Sequence, residues 1–186
     1  MLPIVLPLTL VGVLTGAGLA TSRRGLSLLP KSPVEGVVVV RWVRFTRTLA
    51  RHPLGYDAPG GRMGMFGLHA RRLADVGLAR NPRKETIGSE VGVWTADWQK
   101  PLSKKTFLAS PPLQYEAFKR SVVDMVPKVS GLVGAVIDGE KCTLSGLLGV
   151  GHVAGSAGVA GWVKDPAVRK KFQNTTNTFN LTNGIF

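Results

Sequence analysis

The chain has 186 residues and a formal net charge of +13, from 24 Lys and Arg against 11 Asp and Glu. Apolar residues make up 44% of it, enough to fill a core, which excludes wholesale disorder. The charge favours anionic partners (nucleic acid, an anionic membrane face or the bacterial envelope), and a single cysteine, Cys142, excludes an internal disulfide and a cysteine-rich zinc site.

Residues 2–20 carry no charged side chain, and Arg23, Arg24 and Lys31 follow. A helix needs about 20 apolar residues to cross a bilayer, so the stretch nearly suffices. Three readings stand: a membrane segment, a segment that packs in an oligomer, or a cleaved signal. Gly18-Leu19-Ala20 resembles a weak cleavage site, but Met1-Leu2-Pro3 lacks the basic side chain that usually precedes a signal's apolar core. Pro3 and Pro7 confine a helix to the residues after them, and Gly12 and Gly16 have the spacing that lets helices approach closely. The expected organisation is an apolar segment over 1–21, a Pro/Gly/Ser-rich linker over 22–36 and a domain over 37–186.

Within the domain, the valine run from Val37 suggests a strand. However, Arg41, Arg44, Arg47 and Arg51 recur at helical spacing, which predicts a helix over 38–51 ending before His52-Pro53. A Gly/Pro-rich loop follows, then a short helix over 69–78. Residues 80–106 read as irregular and charged. The segment 111–127 is the clearest helix, with proline at its start and Glu116 spaced to pair with Arg120. A further helix is expected over 128–136, and a turn at Asp138-Gly139. Thr143 or Ser145 caps a glycine-rich helix over 143–163. Its glycines suit close helix packing in a core; its apolar length also admits a second membrane segment. Asp165-Pro166 opens a basic helix over 166–182.

Three stretches in order carry a resemblance: GRMGMFGLHARRLADVGL (61–78), FLASPPLQYEAFKRSV (107–122) and TLSGLLGVGHVAGSAGVAGWV (143–163). Together they resemble the lysozyme-like transglycosylase domains of bacteriophage virions, over roughly residues 40–183. The glycine-rich loop leading into a short helix, the helix start at Leu108, Ser110, Pro111 and Gln114, and the segment from Ser145 to Gly155 carry the likeness. The resemblance implies a mostly helical, single lysozyme-like domain that acts on the glycan of peptidoglycan. It implies one glutamic acid that protonates the glycosidic oxygen, which requires a carboxyl kept protonated in a partly apolar cleft.

This chain departs from that pattern. Where the glutamate is expected it reads His52-Pro53-Leu54-Gly55-Tyr56-Asp57, and no glutamate stands between Glu35 and Glu85. Gly67 occupies the place of the family's glutamine. Asp57 is a shorter substitute acid or a turn residue. Tyr56, Arg62, Met65 and Phe66 are candidates for a saccharide groove, and Trp94 and Trp98 for stacking on sugar rings or for core packing. Glu85 and Glu90 are expected in an exposed loop, and His152 and Cys142 in the core. No metal site and no cofactor are implied, since P-loop, dinucleotide and EF-hand patterns are missing.

The expectation is a phage virion protein, of the tail or interior, whose peptidoglycan-directed domain has lost catalysis. Its expected partners are peptidoglycan, other virion proteins in a multi-copy assembly, and a membrane. The expected location is the virion, or else the bacterial inner membrane and periplasm. An active transglycosylase using Asp57 is the alternative, and a basic membrane- or DNA-associated module, without base readout, is the second.

Overall fold

The computed structural model of the chain describes residues 31–186 apart from Pro59. The expectations for the apolar segment 1–21, and for the linker as far as residue 30, lie outside the described residues. Val34, in the stretch expected to be linker, is buried and belongs to the core.

The first helix, α1 (Val39–Leu49), buries Trp42, Phe45 and Leu49 and turns its arginines outward. The period of the buried face thus overrides the strand preference of its valines. A short hairpin follows, β1 (Arg62–Met63) against β2 (Leu68–His69). It leads into α2 (Ala70–Asp75), where the His69 ring nitrogen accepts the Arg72 N–H at 3.4 Å. This helix is shorter than the expected 69–78, because Gly77 takes φ 79°.

The stretch expected to be irregular is a long antiparallel hairpin, β3 (Ala79–Ile87) and β4 (Glu90–Trp98). Pro82 sits where the register shifts between Arg80 and Arg83, so its missing N–H breaks no ladder bond. Gly88 takes φ 60° in the two-residue turn.

Ser103 and Thr106 form a reciprocal cap on α3 (Lys104–Leu108), and Ser110 caps α4 (Pro111–Val129). The helix expected over 128–136 is replaced by a 3-10 turn (Ser130–Leu132) and a small hairpin. That hairpin pairs β5 (Val136–Ile137) with β6 (Glu140–Lys141) across the expected Asp138-Gly139 turn. Gly134, at φ 87°, and β-branched Val133 and Val136 account for the break.

Thr143, not Ser145, caps α5 (Leu144–Lys164), accepting the Gly146 N–H at 3.1 Å. Gly155, at φ 73° and ψ 162°, interrupts it. The expected carboxy-terminal helix is split at Phe172 into α6 (Pro166–Lys171) and α7 (Gln173–Thr182). About half of the described residues are helical, with three two-stranded sheets among them.

The core is aromatic on the α1 side. Phe66 stacks on Phe118 with ring centres 4.1 Å apart, Trp42 stacks on Phe118 at 6.0 Å, and Trp42 donates to the Tyr115 hydroxyl at 2.7 Å. On the other side α5 runs through the interior, with Leu147, Leu148 and Val150 buried. Its length and apolar composition would suit a membrane span, but its first half is the centre of the domain. α7 packs against one face of α5 and α4 against another. A Cβ at Gly149 would stand 2.1 Å from Thr182 Oγ1, and one at Gly151 would stand 2.1 Å from Met125 Sδ. At Gly161 the nearest outside atom would be 3.8 Å away, an ordinary contact.

The two kinds of glycine predict opposite signs. Gly149→Ala forces α7 outward and costs about 1–3 kcal/mol by overpacking. Gly161→Ala gains about 0.4–1 kcal/mol by restricting the unfolded chain and improving helix propensity. Denaturant unfolding of the two variants measures both, and equal effects would contradict this account of the packing.

Candidate functional site

An open cleft of about 460 Å³ is lined by Asp57, Met63, Val93, Trp94, Trp98 and Lys104, among others. The hairpin β3–β4 supplies the tryptophans, the loop before β1 supplies Asp57, and the first turn of α3 supplies Lys104.

One buried side chain fixes the loop. Gln114, fully buried on α4, accepts the Met65 N–H at 2.7 Å on its amide oxygen. Its amide nitrogen lies 3.0–3.1 Å from the carbonyls of Leu54, Phe107 and Leu108. It therefore ties the loop to the corner between α3 and α4. Gly64, at φ 72°, permits the approach, since a Cβ there would stand 2.6 Å from the Gln114 oxygen. Gly61, at φ 75°, similarly lets the loop lie against the backbone of Trp94.

Of the residues singled out in the sequence, the structure brings three together in the cleft: Asp57, Trp94 and Trp98. Trp94 is partly exposed. The Arg71 guanidinium lies 5.2 Å and the Lys84 ammonium 5.4 Å from its ring centre, cation–π distances, and the His69 ring is roughly parallel at 6.2 Å. Trp98 leans on Phe107, with ring centres 5.5 Å apart.

The other candidates stand elsewhere. Phe66 is buried in the aromatic core, so its assignment to a saccharide groove is corrected. Met65 is partly buried, packs against the same core, lends its backbone to Gln114 and does not line this cleft. Both turn inward because the tight turn between β1 and β2 reverses the chain there, with Gly64 and Gly67 at positive φ. Tyr56 stacks on His52, rings 3.9 Å apart and 7° from parallel, and does not line the cleft. Arg62 is exposed on β1 and makes no ion pair among the described residues.

Asp57 pairs with Lys104 at 2.7 Å, and both side chains are nearly half exposed. A general acid for glycoside cleavage needs the opposite setting, an apolar wall and no cation. The other acids offer none. Glu85, expected in a loop, lies on β3, where hydrogen bonding to Arg83 holds its carboxyl below the usual range. The carboxyl of Asp97 is lowered first by Asn81 and then by Arg83. Burial raises the Glu116 carboxyl, but Lys119 and Arg120 outweigh it and bring it down. Glu90 belongs to β4, beside the hairpin turn. Among the described residues no group of three or more His, Cys, Asp or Glu side chains could hold a metal ion.

The stretch where the resemblance puts a glutamate, residues 52–57, begins with His52. Burial first, then Arg62 and Arg51, lowers its pKa. Cys142 is buried, and burial pushes its thiol up. His152 is partly buried, edge-on to Phe118 at 5.6 Å. Burial, with smaller contributions from Arg72, Arg62 and Arg51 and against a backbone hydrogen bond at Phe66, lowers it to about 4.

Lys104 and Val93 carry no sequence signal for the site. Gln114 stands in the sequence only within the helix start that carries the resemblance, and that motif does not reveal its burial.

His152 makes folding stability depend on pH. The unfolded state takes up this proton near pH 6.5, the folded state only near pH 4. Stability from this histidine is therefore complete above pH 6.5 and is lost as the pH falls toward 4. At about 1.4 kcal/mol per pH unit, tempered by partial exposure, the loss between pH 6.5 and 5 is about 1–2 kcal/mol. His152→Gln should flatten that slope in denaturant titrations at the two pH values; an unchanged slope would contradict the assignment.

No family model, no curated protein and no solved structure matches the chain.

Proposed function

We propose that the chain is a bacteriophage virion protein whose lysozyme-like domain binds the glycan of peptidoglycan without cleaving it. The virion and the lysozyme-like likeness rest on the three ordered stretches of sequence. The absence of cleavage rests on one observation: Asp57, the candidate acid in the cleft, is exposed and tied to Lys104 at 2.7 Å. A carboxylate so placed has neither the apolar wall nor the distance from cations that a general acid for a glycosidic bond demands.

Binding needs less. Trp94 and Trp98 are partly exposed and line the cleft, and sugar rings present flat C–H faces that pack on aromatic side chains. Lys84, Arg71 and Lys104 surround these rings with donors for hydroxyl and carboxylate groups. Retained in a multi-copy assembly, such a domain would hold virion protein against the cell wall.

Purified sacculi test the proposal. The protein should co-sediment with them while their turbidity stays constant. Trp94→Ala should weaken co-sedimentation by at least about fivefold, the effect of removing a central aromatic contact. Clearing of the suspension that Asp57→Asn abolishes would establish the active transglycosylase instead.

A further inference from the structure

We propose that the outer face of α1 docks on an anionic membrane surface. The inward face of this helix is committed to the core through Trp42, Phe45 and Leu49. Its outward face carries Arg41, Arg44 and Arg47, with Arg51 just beyond the helix end, and all four are exposed. Between Glu35 and Asp57 the chain has no acidic residue. None of the four arginines forms an ion pair among the described residues, and residues 1–30 contain no Asp or Glu that could supply one. Arg51 uses its Nε–H on the Thr48 carbonyl at 3.1 Å and is exposed. The stripe is thus built for anions that this chain does not provide.

Two valines choose the partner. Val38 and Val40 are 61% and 62% exposed, and Val40 is in line with Arg44 and Arg47 along the helix. A nucleic-acid backbone engages arginines and gains nothing from valines. The boundary of a bilayer takes both, apolar side chains toward the acyl region and guanidinium groups on lipid phosphates. The sequence upstream agrees. Residues 2–20 are uncharged, and only residues 21–38 separate them from α1. An apolar insertion with a basic patch is the two-signal arrangement that stable membrane attachment requires. Surface docking of α1 is independent of glycan binding in the cleft.

The test uses the full chain carrying Val40→Cys, labelled with an environment-sensitive fluorophore. Cys142 is 2% exposed and stays unlabelled in the folded protein. The probes are vesicles of phosphatidylcholine alone, vesicles containing phosphatidylglycerol, and duplex DNA. The label should shift to the blue with the anionic vesicles, and a label at Val91, 84% exposed on β4, should not. Arg44→Gln with Arg47→Gln should lower affinity for anionic vesicles about 25-fold, from about fivefold per arginine, and leave neutral vesicles unchanged. Circular dichroism confirms that the variants fold. No shift at residue 40, equal shifts with both vesicle types, or a shift with DNA alone would overturn the proposal.

Discussion

The close approach of α4 and α7 to the backbone of α5 is the constraint from which the rest of the domain follows. At Gly149 and Gly151 there is no space for a side chain, because Thr182 and Met125 already occupy it. Such glycines weaken an isolated helix, at about 1 kcal/mol each relative to alanine. Burial of Leu147, Leu148, Val150 and their neighbours offsets that cost. The position of α4 then fixes two side chains that reach into the other half of the domain. Phe118 gathers Trp42, Phe45 and Phe66 around it, and Gln114 holds the chain on both sides of β1, at Leu54 and at Met65. The cleft is therefore set by a core helix that contributes none of its described walls.

The chemistry of that cleft follows from what surrounds each charged group. A glycosidase acid is an expensive arrangement, a protonated carboxyl kept from water and from cations. Asp57 sits on an open rim beside an ammonium. The carboxyls whose titration the protein displaces, Glu85, Asp97 and Glu116, are all moved toward ionisation by basic or amide neighbours. A chain with a net charge of +13 has few places to keep a carboxyl away from cations. Its aromatic side chains are less constrained by charge, and in the hairpin they even gain from it, since Arg71 and Lys84 lie over or beside Trp94. The same excess charge leaves the stripe on α1 without internal counterions.

Much of the helical framework was legible in the sequence because its signals were local. The arginine spacing disclosed α1, Ser110 with the two prolines disclosed the start of α4, and Asp138-Gly139 disclosed a turn. The hairpin β3–β4 was not legible. Strands announce themselves by alternation when one face is buried, and in β3 only Ala79 is buried. Its arginines and glutamate read as a charged loop for that reason. The site was legible in part. Asp57, Trp94 and Trp98 meet in the cleft, but the pairing of Asp57 with Lys104 depends on where α3 docks, which no local pattern records. The inward turn of Phe66 was not legible, because a tight turn between two-residue strands carries no periodicity to show which side chains face the core.

The four tryptophans allow the most direct measurement of the central claim. Trp42 and Trp162 are buried, while Trp94 and Trp98 line the cleft. The experiment is a titration of isotope-labelled protein with soluble peptidoglycan glycan fragments, following the four indole N–H resonances and the fragment masses together. Binding without cleavage requires the Trp94 and Trp98 resonances to move, those of Trp42 and Trp162 to stay, and the fragments to remain whole. Unmoved Trp94 and Trp98 resonances, or the appearance of shortened or anhydro-ended fragments, would contradict the account.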